Sequence, residues 1–116
     1  MRLQPIVYVD DMQRAIAWYS VVLGRQPVTA SSHWTSFAVE GGNLALHLGP
    51  GTSGGRVELS LVVDEPLETL EERLSAGGIS TVRGVADEAF GRSLLLADPD
   101  GTHIQVNEHD PDLYRD

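Results

Sequence analysis

The chain contains no cysteine, which excludes disulfide bridges and thiolate metal sites and suits a reducing compartment. No apolar run is long enough to span a bilayer. The opening Met1-Arg2-Leu3-Gln4-Pro5 lacks the apolar stretch of a secretory signal. The expected location is therefore the cytoplasm, with no membrane partner. Positive charge is also scarce: 8 basic residues face 17 acidic ones, a formal net charge of −9. Nucleic acid is excluded as a partner, because its phosphates would be repelled and no basic patch offsets the deficit. The same balance keeps the protein soluble and favours a cationic over an anionic ligand.

What the chain does have is repetition. Residues 2–49 read as strand, helix, glycine and three short strands, and residues 56–108 read the same way. One copy opens with Gln4-Pro5-Ile6-Val7-Tyr8-Val9-Asp10-Asp11, the other with Glu58-Leu59-Ser60-Leu61-Val62-Val63-Asp64-Glu65. Each is an alternating apolar run that ends in two acids and passes into a helical pattern. That pattern stops at Gly24 in one copy and at Gly77-Gly78 in the other. A chain of 116 residues is one compact domain or two intimately packed halves. Neither copy can bury its apolar face alone, so the two are expected to pair through their sheets, with a cleft between them suited to a small molecule.

The spacing predicts a first helix from Asp11 to Leu23, capped by Asp10 or Asp11. Met12, Ile16, Tyr19 and Leu23 form its buried stripe, with Trp18 packing beside them. A second helix is predicted from Pro66 to Ala76, with Leu67, Leu70 and Leu74 inward and Glu68, Glu71, Glu72 and Arg73 solvated. Period-two alternation sets Leu44, Leu46 and Leu48 against Asn43, Ala45 and His47, and Ile104 and Val106 against His103, Gln105 and Asn107. Gln4, Ile6 and Tyr8 share a face, as do Glu58, Ser60 and Val62. Leucines and valines thus face the helices, and each half keeps a second face of mixed polarity. An inward carboxylate is costly unless paired or solvated, which makes Glu58 the sharpest sign of a functional cleft. Its plainer role is to partner His47 or Arg92. Trp34, in line with Ser36 and Ala38, offers either a stacking surface or a hydrophobic lid. His33, His103 and His109 lack ligand spacing and are expected at the surface, and the polar tail 109–116 is expected to fray or dock loosely.

Three segments carry a family resemblance. They are Val7-Tyr8-Val9-Asp10-Asp11-Met12 with Ala17-Trp18-Tyr19 and Leu23-Gly24; Gly41-Gly42-Asn43-Leu44-Ala45-Leu46-His47; and Asp98-Pro99-Asp100-Gly101-Thr102-His103-Ile104-Gln105. In that order they resemble the vicinal oxygen chelate superfamily of glyoxalases, bleomycin-resistance proteins and extradiol dioxygenases. The resemblance implies an α+β fold. Two tandem βαβββ modules, residues 1–50 and 56–108 with a tail at 109–116, would form one domain whose curled mixed sheet surrounds a ligand cleft.

In metal-using members four inward residues bind one divalent ion. Carried over by position these are Gln4, His47, Glu58 and Gln105, which the alternation also places on the polar faces. One imidazole, one carboxylate and two amides suit a hard or borderline ion and make a poor zinc site. Glyoxalase-like lyases carry a carboxylate, at once ligand and base, where this chain has Gln105, and a neutral amide accepts no proton. Only Glu58 is left to act as a catalytic base. Glyoxalase I carries a basic residue for glutathione where this chain has Tyr8. The two-His, one-carboxylate set of dioxygenases is not available at these positions.

The reading favoured by this reduced ligand set is capture of a small aromatic molecule without turnover. Tyr8 and Trp34 would stack the ligand, and Gln4, His47, Glu58 and Gln105 would hydrogen-bond it. The alternative is a divalent-metal-dependent lyase, isomerase or dioxygenase using Gln4, His47, Glu58 and Gln105. Unpaired sheet edges and an uncovered apolar face also point to a homodimer. Because Gln105 replaces the base and Tyr8 the glutathione contact, turnover of the hemithioacetal of methylglyoxal and glutathione should be negligible. A spectrophotometric assay with added Ni²⁺ or Zn²⁺ checks this, and robust turnover would reverse the assignment.

Overall fold

The computed structural model describes residues 1–51, 55–110 and 112. The tail expected to dock loosely therefore lies, beyond Asp110 and apart from Asp112, outside the described residues. In chain order the elements are β1 (Arg2–Leu3), β2 (Ile6–Val9), α1 (Met12–Leu23), β3 (Thr29–Ala30), β4 (Trp34–Val39) and β5 (Gly42–Leu48). The second half supplies β6 (Val57–Val62), α2 (Leu67–Ala76), β7 (Arg83–Glu88), β8 (Gly91–Ala97) and β9 (His103–His109).

The repeat in the sequence is a repeat in topology. In the first half β2 lies parallel to β5, which pairs antiparallel with β4, and β4 with β3. In the second half β6 lies parallel to β9, which pairs antiparallel with β8, and β8 with β7. Each parallel pair needs a long crossover, and the helix supplies it. The halves join edge to edge, β2 antiparallel to β6, with Ile6 opposite Glu58 and Val7 opposite Val57. The short β1 seals the same junction against β5 and β6. Among the described residues the result is one nine-stranded mixed sheet with two helices, formed within a single chain. The α+β class and the paired sheets follow the expectation.

Both helices lie on the outer face of the sheet. The Asp11 carboxylate accepts the Arg14 N–H at 3.1 Å to cap α1, which stops at Gly24. Met12, Ile16, Tyr19 and Leu23 pack on Val9, Phe37 and Leu46. Trp18 departs from expectation: it is 60% exposed, because the turn that aims Ala15, Ile16 and Tyr19 at the sheet aims position 18 away from it. Under α2, Leu67, Leu70 and Leu74 pack on Val63, Leu94 and Val106.

Pro66 offers no side-chain cap to α2. Glu108 on β9 takes that role, its Oε2 accepting the Leu67 N–H at 2.9 Å. Arg92 on β8 donates to Glu108 through Nε at 3.0 Å and Nη2 at 2.8 Å, and to both oxygens of Glu68 at 2.8 Å. One guanidinium thus ties β8, β9 and α2 together and is occupied there rather than with Glu58. Its hydrogen bonds hold the Glu108 carboxyl below the usual carboxylate range. Replacement Glu108→Ala should cost about 1 kcal/mol, the usual worth of a cap. A depressed carboxyl stabilises the fold above its unfolded pKa and ceases to as the pH falls through the folded one. The gap between parent and variant should therefore close on acidification, which urea unfolding at neutral and acidic pH will measure.

Candidate functional site

The curled sheet turns its mixed-polarity face inward. Alternation brings Gln4, Ile6 and Tyr8 onto this concave surface, along with Trp34 and Ser36, Ala45 and His47, Glu58 and Ser60, and Gln105, Asn107 and His109. Register places Trp34 opposite His47 and Ser60 beside Gln105. The surface falls into three parts along the strands.

At one end is a polar knot centred on Glu58, which is 7% exposed. Its Oε2 accepts the Tyr8 hydroxyl and the Gln105 Nε2, each at 3.1 Å. The backbone at Gly51 closes over it: a Cβ at that position would collide with the Gly55 carbonyl oxygen and sit 2.9 Å from Glu58 Oε1, so only glycine allows this approach. Burial, reinforced by the neighbouring Glu58 charge, pushes the Tyr8 phenol well above its usual range, so it stays protonated and donates. The His47 ring lies 5.3 Å from that of Tyr8, with Nδ1 2.7 Å from the Leu48 carbonyl.

The middle is aromatic. Trp34, 1% exposed, meets Phe90 at 5.1 Å and His109 at 5.2 Å between ring centroids, and those two rings are 4.9 Å apart. Phe90 reaches across from the β7–β8 turn. Gly91 permits this, because any Cβ there would collide with the Glu108 carbonyl. His109 is half-buried, with Nε2 3.0 Å from Gln4 Oε1. This corrects the expectation of a surface histidine. His33 and His103 are half-buried as well. The alternation Gln105, Asn107, His109 was the signal that points His109 inward; ligand spacing holds no such information. Burial first, and the charge of Arg2 second, lower its imidazole to about 4, so it is neutral at neutral pH.

At the far end the cleft opens into a cavity of about 660 Å³ lined by Gln4, Trp34, Ser36, Val62, Arg92 and His109, among others. A second, smaller cavity of about 260 Å³ lies beside Tyr8, Gly51 and Arg56. Of the residues expected to touch a ligand, Gln4 and Trp34 line the larger cavity and Tyr8 the smaller, while His47, Glu58 and Gln105 line neither. The four positions carried over as metal ligands are divided: Glu58 contacts Gln105, Gln4 contacts His109, and His47 contacts backbone. Among the described residues no three His, Cys, Asp or Glu side chains gather as a metal-holding group.

Residues 2–106 match the sequence model of the Glyoxalase/Bleomycin resistance protein/Dioxygenase superfamily. No curated protein matches the chain. Among solved structures, the chain is similar to an NAD-dependent benzaldehyde dehydrogenase from Legionella pneumophila, with TM-score 0.77 and 20% identity over 93% of this chain and 99% of that one. It is also similar to a glyoxalase/bleomycin resistance protein/dioxygenase superfamily member from Vibrio splendidus 12B01, with TM-score 0.61 and 18% identity over 92% of this chain and 97% of that one. An uncharacterized protein from Methanosarcina mazei gives TM-score 0.59 and 18% identity over 95% and 93%. At such identities the likeness shows the fold alone.

The depressed imidazole of His109 has a consequence for stability. The folded state holds it neutral down to about pH 4, whereas the unfolded chain takes up the proton near the ordinary value of 6.5. Its contribution is therefore full above pH 6.5 and is lost as the pH falls toward 4. Chemical denaturation across that window should show a slope that His109→Phe reduces, and an NMR titration should find the imidazole neutral at pH 6.

Proposed function

The chain belongs to the glyoxalase/bleomycin resistance protein/dioxygenase superfamily, and from that membership we propose that it captures a small, flat, partly apolar molecule in the open end of its cleft without turning it over. One observation carries this reading. The carboxylate that a glyoxalase-type reaction would use as base is sealed between Tyr8, Gln105 and Gly51, while a cavity of drug-binding size lies open a few residues away.

The cavity suits such a ligand. Val62 and Trp34 supply apolar wall, Phe90 and His109 packing together against one side of that ring. Gln4, Ser36 and neutral His109 supply hydrogen bonds. Asp64, Glu65 and Glu108 outnumber Arg2 and Arg92 around the opening, which favours a cationic or donor-bearing guest. A divalent ion is fitted poorly by the four family positions. The Glu58 Oε2 already accepts two donors, Gln4 is turned to His109, and one carboxylate with one imidazole makes a weak set. The alternative, a metal-dependent enzyme, requires Tyr8 and Gln105 to release Glu58.

Tryptophan fluorescence titration against flat organic cations, with thermal shift as a second readout, tests the reading. The parent should bind, and Ser36→Phe, which fills the cavity, should weaken binding roughly tenfold or more. The ligand should be recovered unchanged after incubation with and without Ni²⁺ or Mn²⁺. Conversion of the ligand, or undiminished binding by the filled variant, would reject it.

A further inference from the structure

The repeat extends to the two cavities. Tyr8, His47 and Trp34 lie side by side on β2, β5 and β4 of the first module. Val62, Asn107 and Ser93 lie in the same way on β6, β9 and β8 of the second. The same offset along the first strands equates Arg2 with Arg56, Gln4 with Glu58 and Asp10 with Asp64. The smaller cavity is lined by Tyr8, Asp10 and Arg56, and the larger by their counterparts Val62, Asp64 and Arg2. An ion pair between the modules stands at each, Arg56 with Asp10 at 3.0 Å and Arg2 with Asp64 at 3.8 Å. The cavities are thus equivalent places, the two mouths of one trough along the seam. Gln4 lines the larger mouth, and Glu58 holds the equivalent position inward of the smaller.

What divides the trough breaks the repeat. Trp34 stands where the second module has Ser93. Phe90 lies three residues before Ser93, and the same step before Trp34 arrives at Ser31. Each ring therefore replaces a serine of the other copy, and the two meet at 5.1 Å between centroids. Phe90 is 3% exposed and shares one buried cluster with Ile6, Tyr8, Trp34 and Ala45. Its ring thus sits between the Trp34 wall of the larger mouth and the Tyr8 wall of the smaller. Ala45 leaves it room: it pairs with Ile6 as Gln105 pairs with Ser60, so a methyl group stands where the second module has a long amide. The main chain fixes the turn that carries the ring, since the Asp110 N–H donates to the Phe90 carbonyl at 2.8 Å. We propose that Phe90 is the residue that sets the length of the guest: with Trp34 it walls one trough into two mouths and confines the guest to the Gln4 mouth. This rests on the reading of that mouth as a binding cleft. The wall selects short guests with one cationic end and denies a longer rod the carboxylate of Glu58.

Calorimetric titration with two probes tests the wall. One is benzylammonium; the other is a linear para-linked biphenyl carrying an ammoniomethyl group at each end. The parent should bind both with similar affinity, because each inserts one end only. Phe90→Ala should bind the dication roughly tenfold or more tightly than the parent does, and benzylammonium within about threefold of the parent. Adding Glu58→Gln to Phe90→Ala should remove most of that gain, because the inner ammonium then loses its carboxylate. Phe90→Leu keeps apolar contact with Ile6 and Trp34 while shortening the side chain. It should show a gain of the same sign, and it carries the test should circular dichroism find Phe90→Ala unfolded. A parent that binds neither probe rejects the binding reading of the cleft and the wall with it. A parent that binds benzylammonium, with folded Phe90 variants that gain nothing for the dication, overturns the wall alone. An equal gain for both probes also overturns it, since Phe90 would then limit affinity and not length.

Discussion

The antiparallel seam between β2 and β6 is the contact on which the remainder of the molecule depends. Each module alone is a small sheet with one helix, one covered face and one face with nothing to pack on. Pairing Ile6 with Glu58 and Val7 with Val57 fuses the two into a sheet whose curl closes the second face around itself. Tyr8 on β2, Glu58 on β6 and Gln105 on β9, with Gln4 from the link between β1 and β2, then face a common interior, drawn from segments that the chain visits far apart. The Tyr8–Glu58–Gln105 hydrogen bonds cross this seam and link both modules. A buried carboxylate with its donors in place stabilises the junction, whereas the same carboxylate with a donor removed would destabilise it.

Closure of the cleft is uneven, and that unevenness shapes the chemistry available. At the Tyr8 end the charged group is surrounded by donors and glycine backbone. In the middle, Phe90 crosses from the second module onto Trp34 of the first, so apolar ring contact fills this part of the cleft. At the Gln4 end the strands diverge to leave a cavity of about 660 Å³, larger than the one of about 260 Å³ beside Tyr8. A site with a neutral imidazole, the amide of Gln4, the hydroxyl of Ser36 and the ring of Trp34 can orient and hold a molecule.

The two modules share a fold but not a surface. Arg92 binds α2 down through Glu68 and Glu108, and the helix turns carboxylates to water. Packing under α1 is equivalent, yet its outward side is apolar. Inward residues are constrained by the same sheet in both copies and stay alike. Outward residues answer only to what lies beyond them, and are free to differ between the copies.

Much of the fold was legible in the sequence because its signals are local. Period-two alternation in Gln4–Tyr8, Glu58–Val62 and His103–Asn107, helical spacing in Met12–Leu23 and Leu67–Leu74, and the glycine stops depend only on near neighbours along the chain. The repeat added the long-range pairing, since two copies of one unit have few ways to bury the same face. The concave placement of Gln4, Tyr8, Glu58 and Gln105 was readable for that reason. The partners of those residues were not. Whether Glu58 faces a metal, a ligand or Tyr8, whether Gln4 meets Glu58 or His109, and whether Trp34 is open to a ligand or covered by Phe90 all depend on how far the sheet curls and where the β7–β8 turn lands. Trp18 was misjudged for a related reason: helical period locates the stripe, but the edge of the stripe is set by the width of the sheet beneath. The sequence by itself determined the elements, their faces and the repeated unit, because those follow from backbone periodicity and side-chain hydrophobicity. Only the tertiary structure decided which inward groups satisfy one another and which remain open to a guest, because that depends on distances between strands brought together by the fold.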